Sequence, residues 1–176
     1  MKTHELTRMS LFLALLIVLA FFPPLMVGVL GVPIVLQNFG VFLVTLSLSP
    51  KHATLTIGLL LLLAALGLPF LSGGRGGLAP FIGPTAGFMY GWLITPFAVS
   101  LFNKLGHGFW VQLLALSVGG GVLTELIGAA WLAATTGVSL VAAVMSVLIY
   151  IPGDLIKVVL ATVVAQTALQ LTRQKV

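Results

Sequence analysis

The segment GGRGGLAPFIGPTAGF, from Gly73 to Phe88, joins two long apolar runs and carries one arginine, Arg75, between two pairs of glycines. The chain is 60% hydrophobic and only 6% charged, so an arginine at this place needs an explanation. An exposed linker does not require an arginine, and the membrane interior disfavours one. Glycines permit positive φ angles and close backbone approach, so we expect the segment to form a tight turn that holds Arg75 beside a pocket.

The apolar runs on either side of this turn predict an integral membrane protein. The mean hydropathy is +1.23, and several runs approach the roughly 20 apolar residues that cross a bilayer as a helix. We interpret residues 1–176 as a single all-α transmembrane domain built as a compact bundle of six helices. The predicted spans are 9–27 with a bend at Pro23-Pro24, 32–48, 53–71, 80–102, 109–134 and 152–171, with a short outer helix at 141–150.

The distribution of lysine and arginine predicts the orientation of these spans. If the spans alternate in direction, one side of the membrane carries Lys2, Arg8, Lys51, Lys104, Arg173 and Lys175, and the other side carries Arg75 alone. Basic residues remain on the cytoplasmic side, so both termini are predicted to be cytoplasmic and Arg75 to face outward. Orientation also accounts for the net charge of +5, so no nucleic-acid partner is expected.

Four ionisable residues lie near the predicted outer half of the membrane and are candidates for function. They are Arg75, Glu125, Asp154 and Lys157. The spacing of three places Asp154 and Lys157 on one face of the last helix, near an N-terminus whose free N–H groups favour an anion. A structural ion pair is the alternative. With Arg75, these groups suit a small ligand that has both an acid and neutral N–H donors.

Glu125 is assigned a structural role in preference to substrate coupling, either as a hydrogen-bond acceptor for a neighbouring helix or as a protonated acid. The sequence contains no pattern typical of an enzyme or a metal centre. Its three histidines are far apart, it has no cysteine, and the glycine-rich segment lacks the G-K-[ST] ending of a P-loop. We therefore expect no catalytic activity, no resident metal and no cofactor.

Three stretches, read together, resemble the signatures of the BioY family, the substrate-binding (S) components of energy-coupling-factor (ECF) biotin transporters. The stretches are GVPIVLQNFGVFLV, LGLPFLSGGRGGLAPFIGPTAGFMYGW and YIPGDLIKVVLA. The resemblance covers nearly the whole chain in order. It is specific because P-x-x-x-Q, G-G-R-G-G, G-P-T-x-G and P-G-D-x-x-K occur jointly.

The resemblance implies a six-helix S-component bundle in a prokaryotic cell membrane, with biotin as the transported substrate. It also implies partners, namely a transmembrane coupling subunit and two cytoplasmic ATPases that supply the energy. The alternative is a stand-alone facilitator for biotin or another small carboxylate vitamin, since the chain has no hydrolytic motif of its own.

The resemblance further implies which residues bind the substrate: Asp154, Lys157, Arg75, Gln37, Gly40, Thr85 and Phe88. Asp154 would accept a hydrogen bond from a ureido N–H, and Arg75 could hold the carboxylate as a bidentate fork. Lys157 would donate to either the ureido oxygen or the carboxylate. Phe39 and Phe88 are the aromatic residues expected to cover the bicyclic ring.

Two departures from the family pattern concern the docking surface and the fourth helix. Ser10 and Ala14 resemble the A-x-x-x-A motif of the first helix that docks to the coupling subunit, with serine in the first position. The chain reads GPTAGF where family members have GPTGGY, so Phe88 replaces a tyrosine and brings no hydroxyl to the pocket.

Overall fold

The computed structural model describes residues 3–26 and 33–173 and is predominantly helical within them. The α-helices are α1 (Thr3–Ala20), α2 (Gln37–Ser47), α3 (Pro50–Ala65), α4 (Ala79–Ile82), α5 (Ala86–Ser100), α6 (Phe109–Leu116), α7 (Leu123–Thr136), α8 (Leu140–Val147) and α9 (Ile151–Arg173). A π-helical turn, Ser117–Val122, joins α6 to α7, and a 3₁₀ turn, Leu148–Tyr150, joins α8 to α9. A second 3₁₀ turn, Leu101–Leu105, follows α5.

Three helical stretches among the described residues are long and apolar enough to cross a membrane. They are Thr3–Ala20, Phe109–Thr136 and Leu140–Ala168. A further apolar helix, Pro50–Ala65, is shorter. The all-helical membrane class predicted from hydropathy is therefore confirmed at this level.

The first span differs from its prediction beyond residue 20. Instead of bending at Pro23-Pro24, α1 ends at Ala20, and Leu25–Met26 (β1) pairs antiparallel with Pro33–Ile34 (β2). The prediction that the helix continues through the prolines is wrong, because proline has no N–H to donate and clashes with the preceding helical turn. Residues 27–32, which carry the predicted end of the first span and start of the second, lie outside the described residues, as do Lys2 and Lys175.

The sequence predicted that the last apolar stretch is interrupted before residue 152, and the structure changes there from a 3₁₀ turn to an α-helix. The 3₁₀ turn ends at Tyr150, and α9 begins at Ile151 with Pro152 as its second residue. Proline is tolerated there because N–H groups in a first helical turn have no intrahelical partner. As a result Asp154 lies in the first turn of α9 and Lys157 lies one turn further on.

The core of the bundle forms around α2, which packs against α1, α3 and α9, while α5 packs tightly against α7. Phe42, Val41 and Val44 of α2 are fully buried. Between α5 and α7, a Cβ atom on Gly128 would lie 2.2 Å from the Phe88 ring. This close approach fixes the position of Phe88.

The two ends of the bundle are held by different contacts. At one end, Arg8 donates to the carbonyl of Ser47, and Gln166 donates to the carbonyl of His107 over 2.9 Å. At the other end, the amide of Gly73 donates to the carbonyl of Ala20, the last residue of α1, over 2.9 Å. The turn that carries Arg75 therefore lies at the end of the bundle opposite Arg8.

Candidate functional site

A cavity opens at the end of the bundle where Arg75 lies. Its empty volume is about 680 Å³ including the part open to solvent. The apolar side chains of its wall are Ile34, Val35, Leu71, Pro80, Phe88, Met89 and Trp92. Its polar and charged side chains are Gln37, Asn38, Ser72, Arg75, Thr85, Thr124, Glu125, Tyr150, Asp154 and Lys157.

Asp154 is the centre of a buried polar cluster in this cavity. Its Oδ1 accepts from Lys157 Nζ at 2.8 Å and from Asn38 Nδ2 at 3.2 Å. The side chains of Lys157 and Asp154 are only 12% and 8% exposed. The second oxygen, Asp154 Oδ2, is buried and accepts from no N–H or hydroxyl group of the described residues, and the Glu125 carboxyl lies within hydrogen-bond distance of Asp154. The ion pair that the sequence left as the alternative is present, and Lys157 contacts only one of the two carboxylate oxygens.

The glycine-rich turn holds Arg75 at the mouth of the cavity. Leu71 and Arg75 exchange two backbone hydrogen bonds of 2.9 and 3.0 Å, which close the turn. Gly73 and Gly74 adopt φ angles of 77° and 69°, a region that residues with a side chain rarely occupy. Gly76 passes so close to the carbonyl of Leu68 that a Cβ would lie 2.2 Å from its oxygen. The Arg75 side chain is exposed at this mouth, and its Nε donates to the carbonyl of Ser72 at 3.0 Å.

Gln37, the first residue of α2, connects three parts of the chain beneath this turn. Its Nε2 donates to the carbonyl of Leu16 at 3.1 Å and to the carbonyl of Phe70 at 2.8 Å. The side chain is fully buried, yet its Oε1 has no hydrogen-bond partner within residues 3–26 and 33–173. Gln37 thus anchors the turn through its amide nitrogen and offers its oxygen to the cavity.

The GPT segment before α5 forms another part of the wall and is fixed by two aromatic side chains. Trp131 Nε1 donates to the carbonyl of Gly83 at 2.9 Å, and Tyr90 Oη donates to the carbonyl of Phe81 at 2.7 Å. The Tyr90 and Trp131 rings meet edge to face, with 5.2 Å between their centroids. These contacts position Thr85, which lines the cavity.

Six of the seven predicted substrate-binding residues line this one cavity: Gln37, Arg75, Thr85, Phe88, Asp154 and Lys157. Gly40 is not part of its wall. A Cβ at Gly40 would lie 2.6 Å from Leu19 Cδ1 and 2.8 Å from Leu16 Cδ2, so the glycine serves the packing of α2 on α1. Phe39 likewise packs with the core around Phe42 and not in the cavity wall.

Sequence reasoning missed several residues of the wall, among them Asn38, Ser72, Trp92 and Tyr150. Asn38 and Ser72 directly adjoin Gln37 and the glycine-rich turn, so proximity to those motifs was the available signal. Glu125 was recognised as an ionisable residue but was assigned to helix packing. It also lines the cavity, and its buried carboxyl group lies within hydrogen-bond distance of the Asp154 carboxyl on α9, which agrees with a helix-contact role.

The donor and acceptor groups define what the cavity can bind. Five of its side-chain oxygens are buried and accept from no N–H or hydroxyl group of the described residues: Gln37 Oε1, Asn38 Oδ1, Ser72 Oγ, Glu125 Oε2 and Asp154 Oδ2. Buried polar atoms of folded proteins nearly always have a partner, so these oxygens indicate a ligand with N–H or O–H donors. The cations Arg75 and Lys157 add sites for an anionic or carbonyl group. Within residues 3–26 and 33–173, no group of His, Cys, Asp and Glu could hold a metal ion.

The two residues predicted to dock a partner lie away from this cavity. Ser10 and Ala14 are exposed on α1, one turn apart, and neither lines the cavity. Together they form the Ser10–Ala14 surface, which is exposed on the outside of the bundle.

Comparisons with known proteins give matches to one family along nearly the whole chain. A model of the BioY family matches residues 1–174. The chain is 36% identical over 170 residues to the biotin transporter BioY of Lactococcus lactis subsp. cremoris, covering 94% of this chain and 90% of the relative. It is 40% identical over 179 residues to the biotin transporter BioY of Rhodobacter capsulatus, covering 95% and 94%.

A solved structure gives the same result for the fold. The chain matches the crystal structure, at 2.1 Å, of the S-component for biotin from an ECF-type ABC transporter. The TM-score is 0.91 at 34% sequence identity, and the match covers 97% of this chain and 95% of the other.

Proposed function

This chain belongs to the BioY family, and we propose that it is the membrane-embedded S component that captures biotin and delivers it into the cell with an ATP-driven ECF module. The observation that carries this function is the cavity in which Arg75, Asp154 and Lys157 meet from two distant segments. Biotin has a carboxylate, a ureido ring with two N–H donors and one carbonyl, and an apolar thiophane ring. The cavity offers a complementary group for each.

The ureido ring is assigned to the Asp154 cluster. Asp154 Oδ2 is a buried acceptor that receives no N–H or hydroxyl donor from the described residues, and a ureido N–H satisfies it. Lys157 Nζ uses one of its three N–H groups on Asp154 Oδ1, so a second N–H can reach the ureido oxygen beside that carboxylate. Of the two targets that the sequence allowed for Lys157, its contact with Asp154 favours the ureido oxygen.

The carboxylate is assigned to Arg75. The side chain is exposed at the mouth of the cavity, where a charged group retains part of its hydration, and a guanidinium can bind a carboxylate through two parallel hydrogen bonds. Phe88, Met89 and Trp92 form an apolar wall that suits the thiophane ring. Gln37 and Thr85 complete the proposed contacts, and biotin is the transported substrate, not a cofactor.

The proposed topology has six membrane spans, both termini in the cytoplasm and the cavity facing outward across the plasma membrane. This topology is supported by the unequal distribution of basic residues between the two ends of the bundle. Arg8, Lys51 and Lys104 belong to the end where Arg8 contacts Ser47, and Arg75 belongs to the opposite end. Basic residues favour the cytoplasmic side of a membrane.

The proposed partners are a transmembrane coupling subunit and two cytoplasmic ATPases. The sequence has no P-loop of its own, so energy from ATP requires another chain. The Ser10–Ala14 surface is the proposed contact with the coupling subunit, because both residues are small and exposed on one helix and small residues at this spacing permit close packing of membrane helices.

A titration of the purified protein with labelled biotin tests the function directly. Saturable binding that unlabelled biotin displaces is the expected result, and biotin methyl ester should displace it less well because the ester cannot form the ion pair with Arg75. Failure to bind biotin would contradict the proposal. Uptake into vesicles with and without the coupling module then separates an ATP-dependent S component from a stand-alone facilitator.

A further inference from the structure

A second cavity lies at the end of the bundle opposite the cavity proposed for biotin. Its empty volume is about 660 Å³ including the part open to solvent. It is bounded by the ends of α2 and α5, the start of α3, the 3₁₀ turn Leu101–Leu105 and the start of α6. None of its polar side chains lines the biotin cavity. They are Thr45, Ser49, Ser100, His107 and Gln112.

The hydroxyl group of Thr45 is buried at the wall of this second cavity without a partner. Thr45 is 7% exposed, and its Oγ1 has no hydrogen-bond partner within residues 3–26 and 33–173. Two other buried helical threonines use their hydroxyl groups within the helix. Thr56 donates to the carbonyl of His52 and Thr162 to that of Val158, each over 2.8 Å. Buried polar atoms nearly always have a partner, so the Thr45 hydroxyl indicates a ligand with polar atoms in the cavity.

Basic side chains lie next to the wall of the second cavity. Lys51 is exposed and directly follows the lining residue Pro50, and Lys104 is exposed in the 3₁₀ turn that contributes Phe102 to the wall. Arg8 contacts the last residue of α2. Two of the three acidic residues of the chain line the biotin cavity at the other end. The charge around the second cavity therefore favours an anionic ligand.

Neutral donors add to this preference. Gln112 Oε1 accepts from Gln166 Nε2 over 2.8 Å, so the amide nitrogen of Gln112 remains as a donor at the wall. No side chain caps the start of α6 after Gly108, so the first N–H groups of this helix have no partner within it. Such N–H groups bind phosphate oxygens. Together with the Thr45 hydroxyl, these donors suit a phosphate group, which has several acceptor oxygens.

The surroundings of the second cavity indicate a lipid as the source of this phosphate. Its wall also contains apolar side chains, among them Leu46 and Phe102. Beside it, Leu105 of the 3₁₀ turn and Trp110 of α6 are largely exposed. Exposed tryptophan at the end of a membrane helix is typical of the interface where phospholipid headgroups lie. A free anion would use the charges but not the apolar part of the wall.

We propose that the second cavity binds one anionic phospholipid, with its phosphate between Thr45 and the neighbouring basic side chains and the start of its acyl chains against the apolar wall. Under the proposed topology this lipid belongs to the cytoplasmic leaflet. It joins the ends of α2 and α5 to the start of α6. The site is separate from the biotin cavity, so the inference does not depend on biotin as the substrate.

Native mass spectrometry of the purified protein tests the site, because it counts bound lipids and gives affinities from a concentration series. The added compounds are phosphatidylglycerol, phosphatidylcholine with the same acyl chains, and inorganic phosphate. Thr45→Val removes the hydroxyl group at nearly constant volume, and Thr45→Ser keeps it. Thr162→Val is the matched control, because its hydroxyl is bonded within α9 and Thr162 does not line the second cavity. Lys51→Gln combined with Lys104→Gln removes two charges at exposed positions.

The wild type should bind one phosphatidylglycerol about tenfold more tightly than phosphatidylcholine, whose choline group offsets the phosphate charge. Thr45→Val should bind phosphatidylglycerol about tenfold more weakly than the wild type does, whereas Thr45→Ser and Thr162→Val should match the wild type. The double lysine variant should lower the preference for phosphatidylglycerol to about threefold or less. Biotin binding should stay at the wild-type level in each variant, since none of these positions lines the biotin cavity.

Wild-type affinity of Thr45→Val for phosphatidylglycerol would overturn the inference, and so would an equal loss in Thr45→Val and Thr162→Val. Equal affinity of the wild type for the two lipids would exclude an anionic site. Displacement of the lipid by inorganic phosphate at equal concentration would overturn the lipid assignment. If Thr45→Val does not fold, the double lysine variant decides by its loss of preference. Absence of biotin binding by the wild type removes the proposed function and leaves the lipid site unaffected.

Discussion

Lys157 Nζ lies 2.8 Å from Asp154 Oδ1, one helical turn away, while Asp154 Oδ2 stays buried and accepts from no N–H or hydroxyl group within the described residues. A closed ion pair would use both sides of the carboxylate. Here Lys157 contacts one oxygen only, and the proposed function gives the other to a ureido N–H. This asymmetry is compatible with the proposed binding role of Asp154.

Asp154→Asn should weaken biotin binding by about 1–3 kcal/mol, the cost of removing one partner of a buried hydrogen bond. The substitution keeps the shape of the side chain but removes the charge that Lys157 neutralises and one of the two acceptor oxygens. Calorimetry on the purified variant measures the change. Gln166→Ala, at the far end of α9, is the control and should bind biotin as the wild type does. An unchanged affinity of Asp154→Asn would exclude the ureido assignment.

Arg75→Lys should weaken binding of biotin much more than binding of biotin methyl ester. Lysine keeps the positive charge but lacks the planar fork that binds both oxygens of a carboxylate. The measurement is competition against labelled biotin by the acid and by the ester, for the wild type and the variant. Lys104→Gln, at the opposite end of the bundle, changes one charge without touching the cavity and is the control. Equal losses for acid and ester would mean that Arg75 does not contact the carboxylate.

Gly128→Ala should reduce both thermal stability and biotin affinity. The added Cβ would lie 2.2 Å from the Phe88 ring, so the ring must move or α5 and α7 must separate, at a cost of about 1–3 kcal/mol for overpacking. Melting temperature and calorimetric affinity are measured on one preparation. Gly108→Ala is a matched control because nothing lies within 4 Å of its added Cβ. A stable variant with unchanged affinity would show that Phe88 does not need its present position.

The sequence predicted those cavity residues that belong to recognisable motifs, namely the glycine-rich segment and the P-G-D-x-x-K stretch. Arg75 was identified because an exposed linker does not require an arginine and the membrane interior disfavours one. Asp154 and Lys157 were identified because their spacing places both on one helical face. These residues line one cavity because α9 begins at the end of the bundle where the 71–77 turn lies. Alternating spans predict this arrangement, and the cavity has it.

The remaining wall residues depend on contacts that no local pattern encodes. Trp92 resembles any other aromatic residue of an apolar helix, and only the packing of α5 against α7 turns it toward the cavity. Gly40 was included because the family resemblance implied it, but the side chains of Leu16 and Leu19 occupy the space beside it. Glu125 was interpreted from its position within a span, and only the packing of α7 on α9 shows that its carboxyl group lies beside that of Asp154.

Ser10→Trp together with Ala14→Trp should abolish ATP-dependent uptake while leaving biotin binding intact. Both positions are exposed and lie outside the cavity wall, so bulky side chains there leave the proposed biotin contacts unchanged but block close approach of another membrane helix. Uptake of labelled biotin into vesicles that contain the coupling module, and binding to the purified variant, are the two measurements. Val164→Trp, at another exposed position near the same end of the bundle, should transport normally. Retained uptake in the double variant would place the coupling subunit on a different face, and lost binding would show that α1 supports the cavity itself.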